Sequence, residues 1–341
     1  MATKPKWNAQ SHITDLIIAG LEKGVGPWVR PWKVKGGLGL APFNPCTSGG
    51  RAYNGLNPWT LALASMENGW TDPRFCTFKQ LAAKKWNIKE GEARKAGGPG
   101  PSDVYFWLIK DRTVEDEATG KVSTRKSFSI RVYKVWNYQQ LEGPEAWESD
   151  DATAEYEETT VARTKELAWK VAEAWEDEVV TRHGGSRACY SPSLDIIKLP
   201  ELQDFNTEAD YLATRFHEQI HSTGHESREA RDFSGRFGNE AYAFEELVAE
   251  IGAANLLAAT GVVGTGEVRE DHVAYLASWI KVLKSDHKAI FTADSQAKKG
   301  VKRILDHAEK AGALPKPTKG GSTKAKGKAR KKRSKAKAKA A

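Results

Sequence analysis

The sequence predicts an α+β chain: an N-terminal α+β unit, a mostly helical unit with a small sheet, and a disordered basic tail. Three observations predict it. Before residue 148, helix-period apolar spacing and aromatic, β-branched runs both occur, whereas helical patterns dominate after it. The stretch GPEAWESDDATAEYEETT at 143–160 is a Gly-Pro followed by acidic, polar residues that bury no core. Charge also divides the chain. Residues 1–148 hold 21 Lys+Arg against 14 Asp+Glu, residues 149–314 hold 19 against 30, and residues 315–341 hold 12 against none. The expected organisation is therefore 1–148 as the first unit, 149–160 as an acidic linker, 161–314 as the second unit and 315–341 as a Lys-rich tail.

The elements follow in order. SHITDLIIAGLEKG places Ile13, Leu16, Ile17 and Leu21 on one helical face, and Gly24 and Gly26 end that helix. TFKQLAAKKW reads as a second helix. VYFWLIKD and SFSIRVYKVWNY read as strands joined by the charged hairpin EDEATGK. A long helix is expected over about 160–182, with Leu167, Val171 and Ala174 on its apolar face, and ACYSPSLDIIKLP is strand-like. Helices then start near Thr207 and cover about 240–258, 270–285 and 292–310.

Composition narrows the class. The 40% hydrophobic and 28% charged content suits a globular protein. No apolar run approaches the ~20 residues of a membrane span, and MATKPKWNAQ lacks the apolar core of a secretory signal. Cys46, Cys76 and Cys189 are isolated, which predicts no disulfide framework and a reducing, cytoplasmic setting.

The chemistry concentrates at FHEQIHSTGH, residues 216–225. In a helix, positions i and i+4 lie about 40° apart, so His217 and His221 turn their imidazoles toward a common point. Glu218 flanks that point as a general base for a metal-activated water. This is the mechanical content of H-E-x-x-H, with zinc the expected divalent ion. Thr207 with Asp210 forms a capping signal, and Gly224 a stop. The pattern with a third histidine fails, because residue 227 is Ser227, and His225 follows the glycine, where its ring points elsewhere. A third ligand is sought on AYAFEELVAEIGAANLL. There Glu246 and Glu250 are again i, i+4, so one can ligate while the other accepts the free N–H of a ligating histidine. Glu245 has no such partner, since position 249 is Ala249. The expected set is thus His217, His221 and Glu246 as ligands, Glu218 as base and Glu250 as the histidine's acceptor. Tyr190 and Tyr242 are weak candidates for an oxyanion donor.

HEQIHSTGHESR followed by YAFEELVAEIGAANLL resembles the zincin-like metallopeptidase domain of ArdC-type antirestriction proteins. ACYSPSLDIIKLP upstream and HVAYLASWIKVLKSD downstream resemble that family's flanking segments. In zincins generally the upstream segment supplies an edge strand along which an extended peptide pairs. The family's glutamate-bearing helix matches Glu246, while its Glu-x-x-x-Asp members carry Asp where this chain has Glu250.

The front unit holds nine of the twelve tryptophans. Trp28, Arg30, Trp32 and Lys33 alternate rings with cations, and Arg51 with Tyr53 repeats the theme, a mixture suited to single-stranded nucleic acid. ITDLIIAGLEKGVGPWVRPWK, GGRAYNGLNPWTLAL, TFKQLAAKKWNIKEGE and RVYKVWNYQQLEG resemble, in order, blocks of the family's N-terminal single-stranded-DNA-binding domain. The resemblance covers about residues 11–310 and implies an antirestriction-type protein of a plasmid or phage, acting in the bacterial cytoplasm. Its partners are single-stranded DNA and a protein target such as host restriction machinery, and its second unit is a metal-dependent peptidase. The alternative is a non-enzymatic protein that protects single strands or serves replication, with a structural metal. A primase-associated reading accounts for the front unit but not for residues 217–250. The tail, with KARKKRSK, binds polyanions through counterion release.

Overall fold

The structure is a computed structural model and describes residues 8–26, 42–47, 50–115, 122–145, 166–233, 239–262 and 270–314. The expected linker and tail, and Trp28, Arg30, Trp32 and Lys33, lie outside the described residues.

In the front unit, helix α1 (Ala9–Glu22) starts where the Asn8 side chain accepts the Gln10 N–H. Ile13, Ile17 and Leu21 are buried as their spacing predicts, but Leu16 is 39% exposed and Ile18 takes its place. The helix contacts both α2 and α7, which turns its buried stripe toward Ile18. Strands β1 (Phe43–Asn44) and β2 (Arg51–Ala52) pair antiparallel. Helix α2 (Asn57–Asn68) carries Pro58 in its first turn and closes on Gly69, whose left-handed φ of 68° a side chain would resist. Strand β3 (Phe75–Thr77) leads into α3 (Phe78–Ala83) through a capping box between Thr77 and Gln80. Strand β4 (Asn87–Ile88) pairs with β7 (Leu141–Glu142). Between them β5 (Ser102–Glu115) and β6 (Val122–Asn137) form a long antiparallel ribbon, in a sheet of order β3–β6–β5. Both strand-like runs in the sequence are therefore strands, longer than their alternation alone indicated.

In the second unit, helix α4 spans 166–174. It does not continue to residue 182. A single 3-10 turn follows at Trp175–Asp177, and Thr181–His183 forms strand β8. Val179, Val180 and Thr181 are β-branched, and such residues fit a pleated surface better than a helix. Strands β9 (Cys189–Ser191) and β10 (Ile196–Leu199) complete a sheet of order β8–β10–β9, with β10 parallel to β8 and antiparallel to β9. Four helices follow: α5 (Glu208–Thr223), α6 (Glu240–Thr260), α7 (Glu270–Ser285) and α8 (Ala289–Lys310). No helix among the described residues is long and apolar enough to cross a membrane.

The largest apolar cluster joins the two units. Ile13, Ile17, Leu21, Leu56 and Trp59 pack in one cluster with Trp279 and Leu283 of α7 and Ile290 and Phe291 of α8. Polar contacts tie the same seam: Thr14 Oγ1 donates to the His287 carbonyl at 2.8 Å, and the Gly55 N–H donates to Asn255 Oδ1 at 3.0 Å. Smaller clusters belong to the front unit alone, around Phe75 and around Trp136.

This seam sets the first prediction. Ile17 is fully buried, so Ile17→Ala is expected to cost about 2–5 kcal/mol. The loss should appear in the second unit as well as the first. Urea denaturation, with hydrogen exchange followed at residues 276–283, measures it. Exchange in α7 unchanged from wild type would show that the units do not rely on a common core.

Candidate metal centre

Helix α5 carries the predicted motif as its amphipathic spacing required. Thr207 Oγ1 accepts the Asp210 N–H at 3.1 Å and donates to Asp210 Oδ2 at 2.7 Å, which fixes the start of the helix. At the other end Gly224 caps the helix with φ −79°, so left-handed geometry is not why it is glycine. A Cβ there would lie 2.6 Å from the Phe233 ring and 2.8 Å from Arg231 Nη2. The glycine lets the returning chain, and Arg231 with it, approach the helix end. A second close approach is the crossing of α5 and α6, where a Cβ on Gly252 would meet Ile220 at 2.8 Å. That proximity brings the carboxylates of α6 to the histidines of α5.

His217, His221 and Glu246 converge, all three buried. The two Nε2 atoms are 3.0 Å apart, and Glu246 oxygens lie 3.4 Å from His217 Nε2 and 3.6 Å from His221 Nε2. Separations of this size fit ligands each about 2.0–2.2 Å from one ion. The outer nitrogens are held too. His217 Nδ1 lies 3.1 Å from Glu250 Oε1, as the i, i+4 spacing of Glu246 and Glu250 predicted. His221 Nδ1 lies 3.0 Å from Glu245 Oε1.

Sequence reasoning missed Glu245. It was passed over for want of an acidic i+4 neighbour, but its partner is Arg231, whose guanidinium reaches both of its carboxylate oxygens at 2.8 Å. The same guanidinium caps the Ile220 carbonyl at 2.6 Å. An arginine returning after the helix stop was the available signal, though nothing in the spacing aimed it.

These contacts test whether the residues fit a metal. A carboxylate beside each Nδ1, hydrogen-bonded to it at His221 and at ion-pair distance without hydrogen-bond alignment at His217, favours the ring proton there. Both Nε2 atoms then turn lone pairs toward each other and toward Glu246. Three acceptors face one point with no donor among them, and a cation satisfies all three. Without one, protons must do so. Burial pushes His217 down, but Glu250 and hydrogen bonds to Glu246 and Glu250 outweigh it and raise it to about 9. His221 is raised in the same way by Glu246 and Glu245 against its own burial. Burial pushes Glu246 up, yet the two imidazoles hold it well below the usual carboxylate range.

Glu218, next in sequence to His217, is buried, and its Oε2 accepts the Tyr190 backbone N–H at 2.7 Å. Tyr190 therefore meets the site through its main chain. Its hydroxyl donates to Asp195 Oδ1 at 2.7 Å and sits beside Arg228, which is ion-paired to the same aspartate. Tyr242, the other oxyanion candidate, has its hydroxyl 3.1 Å from that of Tyr275, and burial, Tyr275 and Glu246 together push it up. His225 stays out of the triad, with Nδ1 2.8 Å from Ser227 Oγ.

Of the expected DNA contacts, Arg51 is exposed on β2. Tyr53 is not available in the way the alternation suggested. Its ring is 9% exposed and packs edge-on against Phe75 with centroids 6.5 Å apart, so it offers no free face to a base.

Residues 8–136 match the family model for the N-terminal domain of the anti-restriction factor ArdC, and residues 171–296 match the zincin-like metallopeptidase family. The Mn(II)-bound crystal structure of antirestriction protein ArdC from plasmid R388 superposes with a TM-score of 0.61. It is 30% identical, over 89% of this chain and 98% of that one. This chain belongs to the ArdC antirestriction family. The metal-free R388 structure gives a TM-score of 0.63 at 29% identity, over 89% and 99% of the two chains. The protein y4eC of Sinorhizobium fredii is 32% identical over 91% of this chain and 94% of its own length. DNA primase TraC of Escherichia coli is 35% identical over 296 residues, 84% of this chain but 26% of TraC. The chain thus spans about a quarter of that primase. A match of that length cannot be confined to the front unit, to which a primase relationship was expected to be limited.

Two predictions come from this geometry. His217→Ala or His221→Ala should abolish stoichiometric metal, and Glu245→Ala should weaken it by about 10–100-fold, whereas His225→Ala should leave it intact. Metal analysis of purified variants, with titration of the chelated proteins, reads the result. Retained metal in both histidine variants would overturn the ligand set.

The second concerns pH. In metal-free protein His217 keeps its proton up to about 9, against 6.5 ordinarily. A folded-state pKa above the unfolded value stabilises fully below pH 6.5, and that contribution is lost as pH rises through about 9. A bound metal replaces these protons. The gap in Tm between metal-loaded and metal-free protein should therefore widen from pH 6.5 to 9, as thermal melts of the two forms will show. A gap that narrows over that window would contradict the proposed tautomers.

Proposed function

We propose that this protein is an ArdC-type antirestriction protein of a plasmid, binding single-stranded DNA through its front unit and cleaving a protein at its metal centre. The observation that carries the peptidase part is Glu218. It is buried on the motif helix, next in sequence to the ligand His217 and not one of the three converging residues, and a backbone N–H holds it in place. A metal that only stiffened the fold would need no carboxylate there.

The chain's own residues supply a proton route. Glu218 takes the proton of an attacking water and returns it to the leaving nitrogen. His217, His221 and Glu246 would hold a divalent metal, with zinc favoured by two imidazoles and a carboxylate, and when bound it would supply Lewis acidity toward the substrate carbonyl and the water. Glu245 and Glu250 hold the two rings in the tautomer that ligation requires. Strand β9 is the edge of its sheet, and its Tyr190 touches Glu218, so an extended peptide laid along β9 passes the base. The DNA part rests on the family match of residues 8–136 and on the excess of cations in the front unit.

Glu218→Gln decides between turnover and a structural metal. The variant should keep its metal and its melting temperature but lose hydrolysis by about 100-fold or more. Proteomics of cleaved proteins in cells expressing each form supplies the substrate and the readout. Equal cleavage in wild type and variant would assign the metal a structural role.

A further inference from the structure

The β5–β6 ribbon has two unlike faces. Strand alternation and register put Tyr105 and Trp107 on one face, opposite Val132 and Ile130. That face is covered in part by the second unit: Tyr105 and Ile130 pack against the shared core, and Trp107, 37% exposed, meets Phe291 of α8 edge-on at 5.8 Å. The other face begins buried, with Val104 in the cluster around Phe75 and Trp70. From Phe106 outward it leaves the body of the protein.

Phe106 is 44% and Tyr133 39% exposed on this outer face, and Arg131 and Lys110 are exposed beside them. The two rings stand edge to face with centroids 5.4 Å apart, and the Arg131 guanidinium lies 6.0 Å from the Tyr133 centroid. Charge is segregated between the faces. By alternation Asp103 and Asp111 fall on the opposite face from Phe106. Among the residues whose side chains are described, the outer face carries Lys110, Arg131, two exposed rings, Ser129 and the half-buried Leu108. Phe106 to Lys110 spans about 13 Å, the length of about four stacked nucleotides.

We propose that the outer face of the β5–β6 ribbon is a single-stranded-DNA-binding surface, with Phe106 and Tyr133 stacking on bases and Arg131 and Lys110 meeting phosphates. The inference rests on the reading of the front unit as a single-strand binder and assigns that activity to a surface. Cations without acids complement a phosphate chain. Exposed rings give unpaired bases a platform that a duplex, with its bases already stacked, cannot use.

The test is fluorescence anisotropy of the full-length protein with labelled oligothymidine, its duplex and polyglutamate, across a salt series. At high salt, where contacts of the basic tail have faded, Phe106→Ala with Tyr133→Ala should raise the single-strand Kd at least tenfold. Duplex binding should hold, and Phe78→Ala, which removes an exposed ring from α3, should change nothing. Tyr133→Phe, which keeps the ring, should bind like wild type. A wild type with no affinity for single strands removes the DNA reading and the ribbon assignment together. A wild type that binds, with a double variant that matches it, overturns the ribbon alone. Polyglutamate bound in place of oligothymidine assigns the surface to an acidic polypeptide and also overturns it. Against misfolding of the variant, wild type is photo-cross-linked to an iodouracil oligonucleotide. Adducts are expected on peptides containing Phe106 or Tyr133, and adducts confined to other segments refute the assignment.

Discussion

Two buried imidazoles, each with a carboxylate of α6 beside its outer nitrogen, are the constraint on which the rest of the second unit depends. Burying ionisable groups is costly unless each finds a partner. Helix α6 buries Glu245, Glu246 and Glu250 within six positions. Glu245 has Arg231 as a permanent partner. Glu246 and Glu250 have the imidazoles, which answer them only when protonated or bound to a cation. The centre is thus short of positive charge by roughly what a divalent ion brings. Metal binding and the integrity of this region are one equilibrium, not two.

That demand explains packing some distance away. Arg231 reaches Glu245 only because Gly224 leaves room for the chain to turn back over the end of α5, and α6 reaches the histidines because Gly252 lets it lie against Ile220. The far side of α6 meets the front unit, where Asn255 accepts the Gly55 N–H. The helix that carries the glutamates is therefore wedged between the motif helix and the front of the chain. The apolar cluster from Ile13 to Phe291 shows that α1 is packed as part of the second unit's core.

Local chemistry was legible in the sequence, and tertiary partnership was not. The i, i+4 histidines, the Thr207 cap, the Glu246–Glu250 pair and the ribbon strands all follow from spacing within one element, and each occurs where spacing put it. Glu245 escaped because its value lies in Arg231, a residue on another segment aimed by the fold. The helix expected to reach residue 182 stopped early because strand β10 offered Thr181–His183 a pairing partner that apolar periodicity does not register. Tyr53 looked like half of a ring–cation pair, yet its neighbours in space are Phe75 and Trp70, which bury it. Phe106 and Tyr133 posed the opposite problem. In sequence they belong to the two strand-like runs, and only the register and contacts, which set Trp107 against Phe291, separate the two faces.

The ribbon and the metal centre are also joined, through α8. Trp107 of the ribbon rests on Phe291 near the start of that helix, and Gly300 two to three turns later lies against Thr223 of α5, close enough that a Cβ would meet its hydroxyl at 2.7 Å. Such a chain of contacts does not by itself carry a signal, since coupling needs an element with two arrangements that both sites bias. What it supplies is fixed geometry. With the ribbon as the DNA surface, a strand bound there is held at a set distance from Glu218. On the proposed reading, a protein engaged on the same strand would be presented to the metal centre at an effective concentration set by that span, not by its concentration in the cell. Weak recognition of that protein would then suffice, and selectivity would pass from the cleft to the DNA that brings the two together.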